Sequence, residues 1–321
     1  MRRAGLTWDA LEPLPLKGVA HGHVRLAGRG LVARLPRWSQ QGLDPAANLA
    51  YQAEAFRRAA PCGHTPELVA VLPPAPDGLP MGGLVVTEIT GRPPRLPADM
   101  ATIARALAAL HALPLPPPSA RAPLLAPADP AAALLAQVER QAAAFDDAGL
   151  EPEVRRLLDA ELDAARTSRP AAPVPVALCG ADTHPGNFLI DAAGKAWFTD
   201  LEKAHYSLPA IDLAHASLLT STRWTPEVDA ELSRAEVADF LAAWAAAVPA
   251  DLAAATAPWL VPMRRLTWLR TMTWMARWRV DGARLSHGMP EKLRTHLDAR
   301  VVDIFRPAVI GRVRGDWLLN G

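Results

Sequence analysis

The period of the apolar residues changes near residue 90, and this change constrains the fold more than any other feature of the chain. Before it, the sequence predicts short β-strands around one helix. The strands are 23–27, 31–35, 68–72 and 84–89, and the helix is about 45–60. After it, apolar residues recur at helical spacing, as at Ile103, Leu107 and Leu110. We therefore expect an α+β chain with a small antiparallel-sheet lobe over 1–90 and a larger, mainly helical lobe over 91–321.

The composition narrows the class of protein. The chain has 321 residues, of which 50% are hydrophobic and 21% charged, which is typical of a globular protein. Its formal net charge is +1, so no global field recruits nucleic acid or an anionic membrane. The two cysteines lack the spacing of a disulfide framework or a zinc site. We expect a soluble, cytoplasmic protein without nucleic-acid or membrane partners, and its oligomeric state stays open.

A strand-like hairpin interrupts the helical half of the chain. Residues 188–191 (FLID) and 196–199 (AWFT) flank a turn through Gly194, and a further short strand is predicted at 174–178. The loop before the hairpin carries Asp182 and Asn187, and the loop after it carries Asp200 and Glu202. An antiparallel pair returns the chain to its starting end. We therefore expect the oxygens of Asp182, Asn187 and Asp200 to converge.

Such a set of oxygens suits magnesium, which binds few protein ligands and keeps room for water and phosphate. Phosphoryl transfer needs this metal, a group that meets the accepting hydroxyl, and a cover for the triphosphate. Gly18 and Gly22 in the first lobe would let backbone amides approach phosphates. Arg34 is the candidate phosphate-holding cation, and Glu54 in the following helix is its candidate ion-pair partner.

These segments resemble the aminoglycoside phosphotransferase and choline kinase superfamily, which has a protein-kinase-like fold. LCGADTHPGNFLID, WFTDLEKA and AIDLAHA are similar to its HGDxxxxN loop, its IDxE element and its DLA helix start. LVARLPR, YQAEAFRRAA, VVTEITG and IARALAALHAL are similar to its lysine strand, first-lobe helix, hinge and first large-lobe helix. The resemblance implies a kinase that transfers the γ-phosphoryl group of Mg-ATP or Mg-GTP to a hydroxyl of an amino alcohol, amino sugar or sugar.

Transferred residue by residue, the resemblance assigns roles to the acidic loops. Asp182 would be the catalytic base or hydroxyl-orienting residue, while Asn187 and Asp200 would hold magnesium. Glu202 would be the second acid of the IDxE element, on the substrate side, and Asp212 an internal brace. The backbone that would meet the adenine is that of Thr87, Glu88 and Ile89.

The chain departs from the family pattern at two places. Gly180 and Ala181 stand where the motif has histidine and glycine, and Arg34 stands where it has lysine. Arginine keeps the positive charge and adds a bidentate donor, but the two residues are not interchangeable at a tight site. These departures motivate an alternative function, a catalytically silent nucleotide-binding module of the pseudokinase type.

A tryptophan-rich segment at 264–280 permits two interpretations. Trp274 and Trp278 are four residues apart and would share a helix face, with Trp268 nearby. The three rings are either core packing or a substrate wall, since tryptophan attracts cations by roughly 1–2 kcal/mol. The arginines of the segment would oppose a polycation, for which the acidic stretch at 226–236 would compensate unless it forms a solvated helix face.

Three histidines near the acidic loops motivate a third function, a metallohydrolase, because histidine and aspartate together suit zinc or manganese. They are His184, His205 and His215, and none belongs to an HExxH motif.

Overall fold

The computed structural model describes residues 10–16 and 20–318. The strands are β1 (Leu11–Pro13), β2 (His21–Leu26), β3 (Leu31–Pro36), β4 (Leu68–Leu72), β5 (Gly83–Thr87), β6 (Ala177–Cys179), β7 (Phe188–Ile190), β8 (Ala196–Phe198) and β9 (His205–Ser207). The helices are α1 (Pro45–Ala59), α2 (Met100–His111), α3 (Pro130–Ala142), α4 (Ala144–Asp147), α5 (Pro152–Thr167), α6 (Pro209–Ser217), α7 (Leu219–Thr222), α8 (Arg234–Ala245), α9 (Ala250–Thr256), α10 (Leu260–Leu285), α11 (Glu291–Ile304) and α12 (Pro307–Leu318).

The N-terminal strands form one antiparallel sheet in the order β1-β2-β3-β5-β4. The predicted hairpin between β2 and β3 is confirmed, and Leu26 pairs with Leu31 across its turn. Gly28 and Gly30 have φ of 68° and 62°, which only glycine adopts without steric cost. Helix α1 lies between β3 and β4 in the chain, and Asp44 caps it by accepting hydrogen bonds from two backbone N–H groups of its first turn.

The rest of the chain is mainly helical, as predicted, and packs around α10. This helix has 26 residues and contacts α3, α5, α6, α11 and α12. Trp259, Trp268 and Met272 lie in the core that these helices enclose. A second core joins the sheet to the helices, because Leu84 of β5, Phe56 of α1 and Leu107 of α2 belong to the same buried cluster. The expected α+β architecture is therefore confirmed.

The predicted hairpin in the helical half is formed by β7 and β8. Phe188 pairs with Phe198, and the turn contains Gly194 at a φ of 77°. The hairpin is fastened to the chain that leaves the sheet, because Arg92 and Ile190 exchange two backbone hydrogen bonds of 2.9 and 2.8 Å. Residues 187 and 199, which flank the hairpin, thus lie opposite one another.

Two local predictions are corrected. The strand predicted at 174–178 is β6 at 177–179, where it pairs with β9. Most of the acidic stretch 226–236 is not helical, because the capping box of α8 starts that helix only at Arg234. Among the described residues, no helix combines the length and the apolarity that crossing a bilayer requires.

A buried carboxylate connects three helices, and its loss should be costly. Glu161 of α5 is 1% exposed and accepts hydrogen bonds from Arg265 of α10 at 2.9 Å and Arg314 of α12 at 2.7 Å. We expect Glu161→Gln to lower the free energy of unfolding by about 3 kcal/mol, because it leaves buried arginine charge without its anion. The measurement is urea denaturation.

The matched control is Glu139→Gln. Glu139 pairs with Arg166 at 2.9 Å, but both side chains are exposed, so the change should cost less than about 1 kcal/mol. Equal losses in the two variants would contradict the assigned role of Glu161.

Candidate active site

Asp212 holds the loop that carries Asp182. Its carboxylate is fully buried and accepts hydrogen bonds from the backbone N–H groups of Gly180 and Ala181 at 2.7 and 2.8 Å. His111 Nε2 lies 3.0 Å from the same carboxylate, and Trp244 Nε1 donates to His111 Nδ1 at 3.0 Å. Because an indole N–H can only donate, His111 must carry its proton on Nε2 and donate it to Asp212.

His111, Cys179 and Asp212 each offer a possible metal-ligating atom, and these atoms lie within 4.8 Å of one another. The geometry favours a brace over a metal site, because the Asp212 oxygens already accept three N–H bonds. Burial also raises the pKa of the Cys179 thiol well above its usual value, so Cys179 is a neutral thiol in this structure.

The motif departure at position 180 has a steric explanation, whereas the one at position 181 carries a steric cost. A Cβ on Gly180 would lie 2.5 Å from Cε1 of Phe198, so the Phe198 ring occupies the space that a side chain at this position would need. Ala181 has a φ of 62°, a left-handed conformation that costs a non-glycine residue about 1–2 kcal/mol. The loop keeps the backbone shape that glycine would favour, and its bonds to Asp212 maintain that shape.

Asp182 lies in a strongly cationic environment. Lys203 Nζ donates to Asp182 Oδ2 at 2.6 Å, and His215 Nδ1 is 3.7 Å from Asp182 Oδ1. Burial alone would raise the pKa of Asp182, but Lys203, with His184 and His215 in support, outweighs burial and holds this pKa far below its usual value. Asp182 is therefore a carboxylate at neutral pH, and no donor among the described residues is recorded nearer to its Oδ1 than His215 Nδ1.

The hairpin brings the three predicted residues together. The Asn187 side chain donates to the Asp182 carbonyl oxygen at 2.8 Å. The Asn187 carbonyl oxygen accepts from Thr199 N at 2.9 Å and from Thr199 Oγ1 at 3.0 Å, directly before Asp200. Asp182 and Asp200 also influence each other electrostatically.

The donor chemistry of this group fits magnesium. The Asn187 amide has its oxygen available because only its nitrogen is bonded, and Asp200 contributes a carboxylate. Burial alone would raise the pKa of Asp200, but Arg34 outweighs it and lowers this pKa. Both groups therefore present hard oxygen ligands at neutral pH.

Arg34 binds a different carboxylate from the predicted one. It donates to Asp200 Oδ1 at 2.8 Å and to the Thr199 carbonyl oxygen at 2.9 Å. The predicted ion pair with Glu54 is wrong, because Glu54 accepts from Arg58 at 2.7 Å, one turn along α1. The Arg34 guanidinium lies 5.5 Å from the ring centroid of Phe56, which lies on the same helix as Glu54.

Glu202 faces the sheet lobe and not a substrate on the helical side. Its Oε2 is 3.2 Å from His21 Nδ1, and its Oε1 accepts from Gln40. His21 Nε2 lies 3.1 Å from Gln52 Oε1, which can only accept, so the proton of His21 is on Nε2. The Glu202 carboxyl must then donate to His21 Nδ1 for the chain of bonds to be neutral and complete.

The pKa values agree with this neutral chain. Burial and the neighbouring Asp200 raise the pKa of Glu202 to about 8. Burial and Arg34 lower the pKa of His21 to about 4. At neutral pH a protonated Glu202 therefore contacts a neutral His21.

The predicted nucleotide-binding residues of the sheet lobe are only partly placed. Gly18 lies outside the described residues. Gly22 lies within β2 opposite Leu35, and a Cβ there would meet no atom within 4 Å. In the hinge, Thr87 N and Glu88 N donate to Glu67 and Gly30 carbonyl oxygens, whereas Ile89 makes no hydrogen bond within the described part of the chain. The backbone of Ile89 is therefore open to a ligand.

The tryptophans divide into core and cleft residues. Trp268 is 1% exposed and Trp278 is 3% exposed, so neither can present a ring to a substrate, and the predicted wall is wrong for both. Trp278 also donates to Asp298 Oδ1 at 2.8 Å. Trp274 is half-buried and packs edge-on against Trp224, whose ring centroid is 6.4 Å from that of His184. Trp274 thus remains a candidate lining residue.

The three histidines near the acidic loops have different partners. His205 Nδ1 lies 2.9 Å from the Lys203 carbonyl oxygen. The rings of His184 and His215 are 6.0 Å apart, and their Nδ1 atoms are buried without a hydrogen-bond partner among the described residues.

Sequence reasoning missed two cations of the site, Lys203 and Arg270. Lys203 directly follows Glu202 in the second acidic loop. Arg270 precedes Trp274 by one helical turn, and it donates to the Ala181 carbonyl oxygen at 3.0 Å. From the sequence, the arginines of this segment count only as charges that oppose a polycation, and this contact is not predicted from it. The sequence did contain a signal for both residues, because each lies within four positions of a candidate site residue.

Comparison with known proteins gives a family match and structural matches. Residues 22–250 match the model of a family described as the phosphotransferase enzyme family. No curated protein matches the sequence significantly.

Solved structures with the same fold cover most of the chain. A choline/ethanolamine kinase family protein from Mesorhizobium loti is 19% identical, with 94% of this chain and 92% of that chain covered and a TM-score of 0.59. An ethanolamine kinase from Plasmodium vivax is 13% identical, with 98% and 87% covered and a TM-score of 0.62. The GDP complex of aminoglycoside 2'-phosphotransferase-IIIa is 17% identical, with 94% and 95% covered and a TM-score of 0.60. These similarities confirm the protein-kinase-like fold.

Ala181→Gly should stabilise the protein, contrary to the usual effect of this substitution. Removing the Cβ relieves the left-handed strain, and we expect the free energy of unfolding to rise by about 0.5–1 kcal/mol in urea denaturation. The control is Ala192→Gly in the exposed hairpin turn, which has no positive φ and should lose about 0.5 kcal/mol. A loss in both variants would contradict the strain at Ala181.

Glu202→Gln should remove a pH dependence of stability. The pKa of Glu202 is about 8 in the folded protein against an ordinary 4.5, so folding favours the protonated form. Its contribution to stability is complete below the lower value and is lost as pH rises toward the higher one. Glutamine can donate to His21 and accept from Gln40, as the protonated acid does.

We therefore expect wild-type stability to fall by a few kcal/mol more than that of Glu202→Gln between about pH 5 and about pH 8. Urea denaturation in EDTA measures both proteins without bound divalent metal. Parallel pH profiles of the two proteins would show that Glu202 is ionised in the folded state.

Proposed function

The chain belongs to the phosphotransferase enzyme family, as the resemblance in its sequence predicts, and we propose that it is a small-molecule kinase. It would transfer the γ-phosphoryl group of Mg-ATP or Mg-GTP to a hydroxyl of a small acceptor, with residues 1–90 as the nucleotide lobe. The supporting observation is the convergence of Asp182, Asn187 and Asp200 at one end of the β7–β8 hairpin, under the strand that carries Arg34. In the reaction the acceptor oxygen forms a bond to the γ-phosphorus, the bond to the β–γ bridging oxygen breaks, and the nucleoside diphosphate leaves.

Asp182 would orient the accepting hydroxyl. Its depressed pKa makes it a weak base but keeps it charged, and its Oδ1 is able to accept a hydrogen bond from the acceptor. Phosphoryl transfer through a loose transition state requires little proton removal before the new bond forms. The hydroxyl proton would therefore pass to Asp182 or solvent late in the reaction.

Asn187 and Asp200 would hold the magnesium ion, which neutralises phosphate charge when bound. Arg34 would then exchange its contact with Asp200 Oδ1 for a nucleotide phosphate, to which a guanidinium can donate two parallel hydrogen bonds. Gly22 and the backbone of Thr87, Glu88 and Ile89 would line the nucleotide site. The acceptor classes that the family resemblance implies are amino alcohols, amino sugars and sugars.

One observation favours the alternative, a silent nucleotide-binding module. Arg34 already neutralises Asp200 in this structure, and a guanidinium that stayed there would compete with magnesium. The two functions differ in turnover, because only a kinase releases ADP in an acceptor-dependent manner. The metallohydrolase alternative would instead release phosphate from an ester without nucleotide.

Asp182→Asn should separate binding from turnover. We expect kcat to fall about a hundred- to ten-thousand-fold, because the amide cannot accept the hydroxyl proton, while the Kd for Mg-nucleotide stays within about threefold. ADP release with Mg-ATP measures the first quantity and isothermal titration calorimetry the second.

The matched control is Asp77→Asn in an exposed loop of the sheet lobe, which should leave both quantities unchanged. Retention of full turnover by Asp182→Asn would remove Asp182 from the mechanism.

A further inference from the structure

The carboxylates around the proposed transfer site already have partners or assigned roles. Asp182 pairs through Oδ2 with Lys203 at 2.6 Å and Asp200 pairs with Arg34 at 2.8 Å. In the proposed reaction Asp182 Oδ1 meets the accepting hydroxyl and Asp200 holds magnesium. Asp212 accepts three N–H bonds and has no exposed surface. Glu202 contacts His21 and faces the sheet lobe. These four acids therefore offer no further oxygen to an ammonium group of an acceptor.

Arg270 is a cation of this site without a direct ion-pair partner among the described residues. It lies on α10 and donates through Nη2 to the carbonyl oxygen of Ala181, directly before Asp182. The residue is half-buried, and burial lowers its pKa, although the charges of Asp182 and Asp212 act in the opposite direction. A half-buried guanidinium next to a catalytic loop attracts an anion and repels a cation.

The surroundings of Arg270 are aromatic and rich in unpaired polar atoms. Trp274 lies one helical turn after Arg270 on α10, and its ring packs against that of Trp224. The Trp224 ring in turn lies 6.4 Å from the ring of His184. His184 is only 8% exposed, and its Nδ1 atom is buried without a hydrogen-bond partner among the described residues. The Nδ1 atom of His215 is buried without a partner there as well. Buried polar atoms are nearly always hydrogen-bonded, so these two atoms need a polar partner, which is a water molecule or a polar group of a ligand.

Most of the acidic stretch 226–236 is already partnered. Asp229 pairs with Arg223 at 2.8 Å, and Glu231 pairs with Arg312 at 2.8 Å. Glu236 is used in the capping box of α8. Among the described residues only the exposed Glu227 of this stretch has no ion pair or cap, and one carboxylate does not compensate a polycationic acceptor.

We propose that the acceptor carries a carboxylate or phosphate group besides its hydroxyl, and that Arg270 binds this group while Asp182 meets the hydroxyl. This inference rests on the proposed kinase function and specifies its substrate class. Guanidinium and carboxylate or phosphate match in geometry, because two N–H groups can donate in parallel to two oxygens. Trp274 would cover the carbon skeleton, and His184 and His215 would donate to its remaining polar groups.

The test compares acceptors that share a skeleton and differ in charge. One series is glucosamine, glucose and glucuronate, and the other is ethanolamine, glycerol, glycerate and glycerol 3-phosphate. ADP release with Mg-ATP gives kcat/KM for each compound. We expect the anionic members to exceed the neutral members about tenfold or more and the ammonium members to be poorest. Glycerate against glycerol 3-phosphate distinguishes carboxylate from phosphate.

Arg270→Gln tests the assigned residue. Glutamine removes the charge and the paired donors and keeps one amide group on a shorter side chain, so the anionic-to-neutral ratio of kcat/KM should fall about ten- to a hundredfold, mainly through KM. The control is Arg277→Gln on the exposed part of the same helix, which should leave the ratio unchanged. Circular dichroism checks folding, and the wild-type series decides the acceptor class even if Arg270→Gln does not fold.

The outcomes distinguish a failure of the anionic acceptor class or of Arg270 from a failure of the kinase function. A preference of the wild type for ammonium or neutral acceptors overturns the anionic class but leaves the kinase function intact. An anionic preference that persists in folded Arg270→Gln overturns the role of Arg270. Absence of transfer to every acceptor, with Mg-ATP binding intact by calorimetry, overturns the kinase function and this inference with it.

Discussion

The buried carboxylate of Asp212 is the interaction on which the site depends. Its bonds to Gly180 N and Ala181 N fix the backbone directly before Asp182, and they hold Ala181 in a left-handed conformation. Because His111 and Trp244 complete the bonding, helices α2 and α8 also contribute to the position of the loop. Precise placement of Asp182 is thus a property of the helical core and not of the loop alone.

Charge pairing then sets the state of each acid around this loop. Lys203 keeps Asp182 ionised and Arg34 keeps Asp200 ionised, whereas Glu202, which has no such cation in contact, remains protonated near neutral pH. Acids close together in the sequence therefore have different protonation states. Asp200 and Glu202 are two residues apart, yet one would bind a metal and the other connects the helical half to the sheet lobe.

The sequence allowed the two-part architecture, the β7–β8 hairpin and the convergence of Asp182, Asn187 and Asp200 to be predicted, because strand period and turn glycines are local signals. The sequence did not predict which side chains contact one another across the fold. Glu54 was paired with Arg34 by analogy, but Arg58 is one turn away on the same helix and satisfies it. The burial of Trp268 and Trp278 depends on which face of α10 meets the core, which a segment with arginines and tryptophans on several faces does not specify.

The changed motif illustrates how substitutions compensate one another within a site. The Phe198 ring occupies the place of a side chain at position 180, which makes glycine the residue that fits there. A loop with glycine at 180 gains backbone freedom, and alanine at 181 removes some of it at the cost of a left-handed strain. Loss of the motif histidine therefore does not imply loss of loop geometry, since the bonds of Asp212 reach the backbone and are indifferent to the side chains at 180 and 181. The motif departures alone are accordingly weak support for a silent module, and the contact between Arg34 and Asp200 is the stronger one.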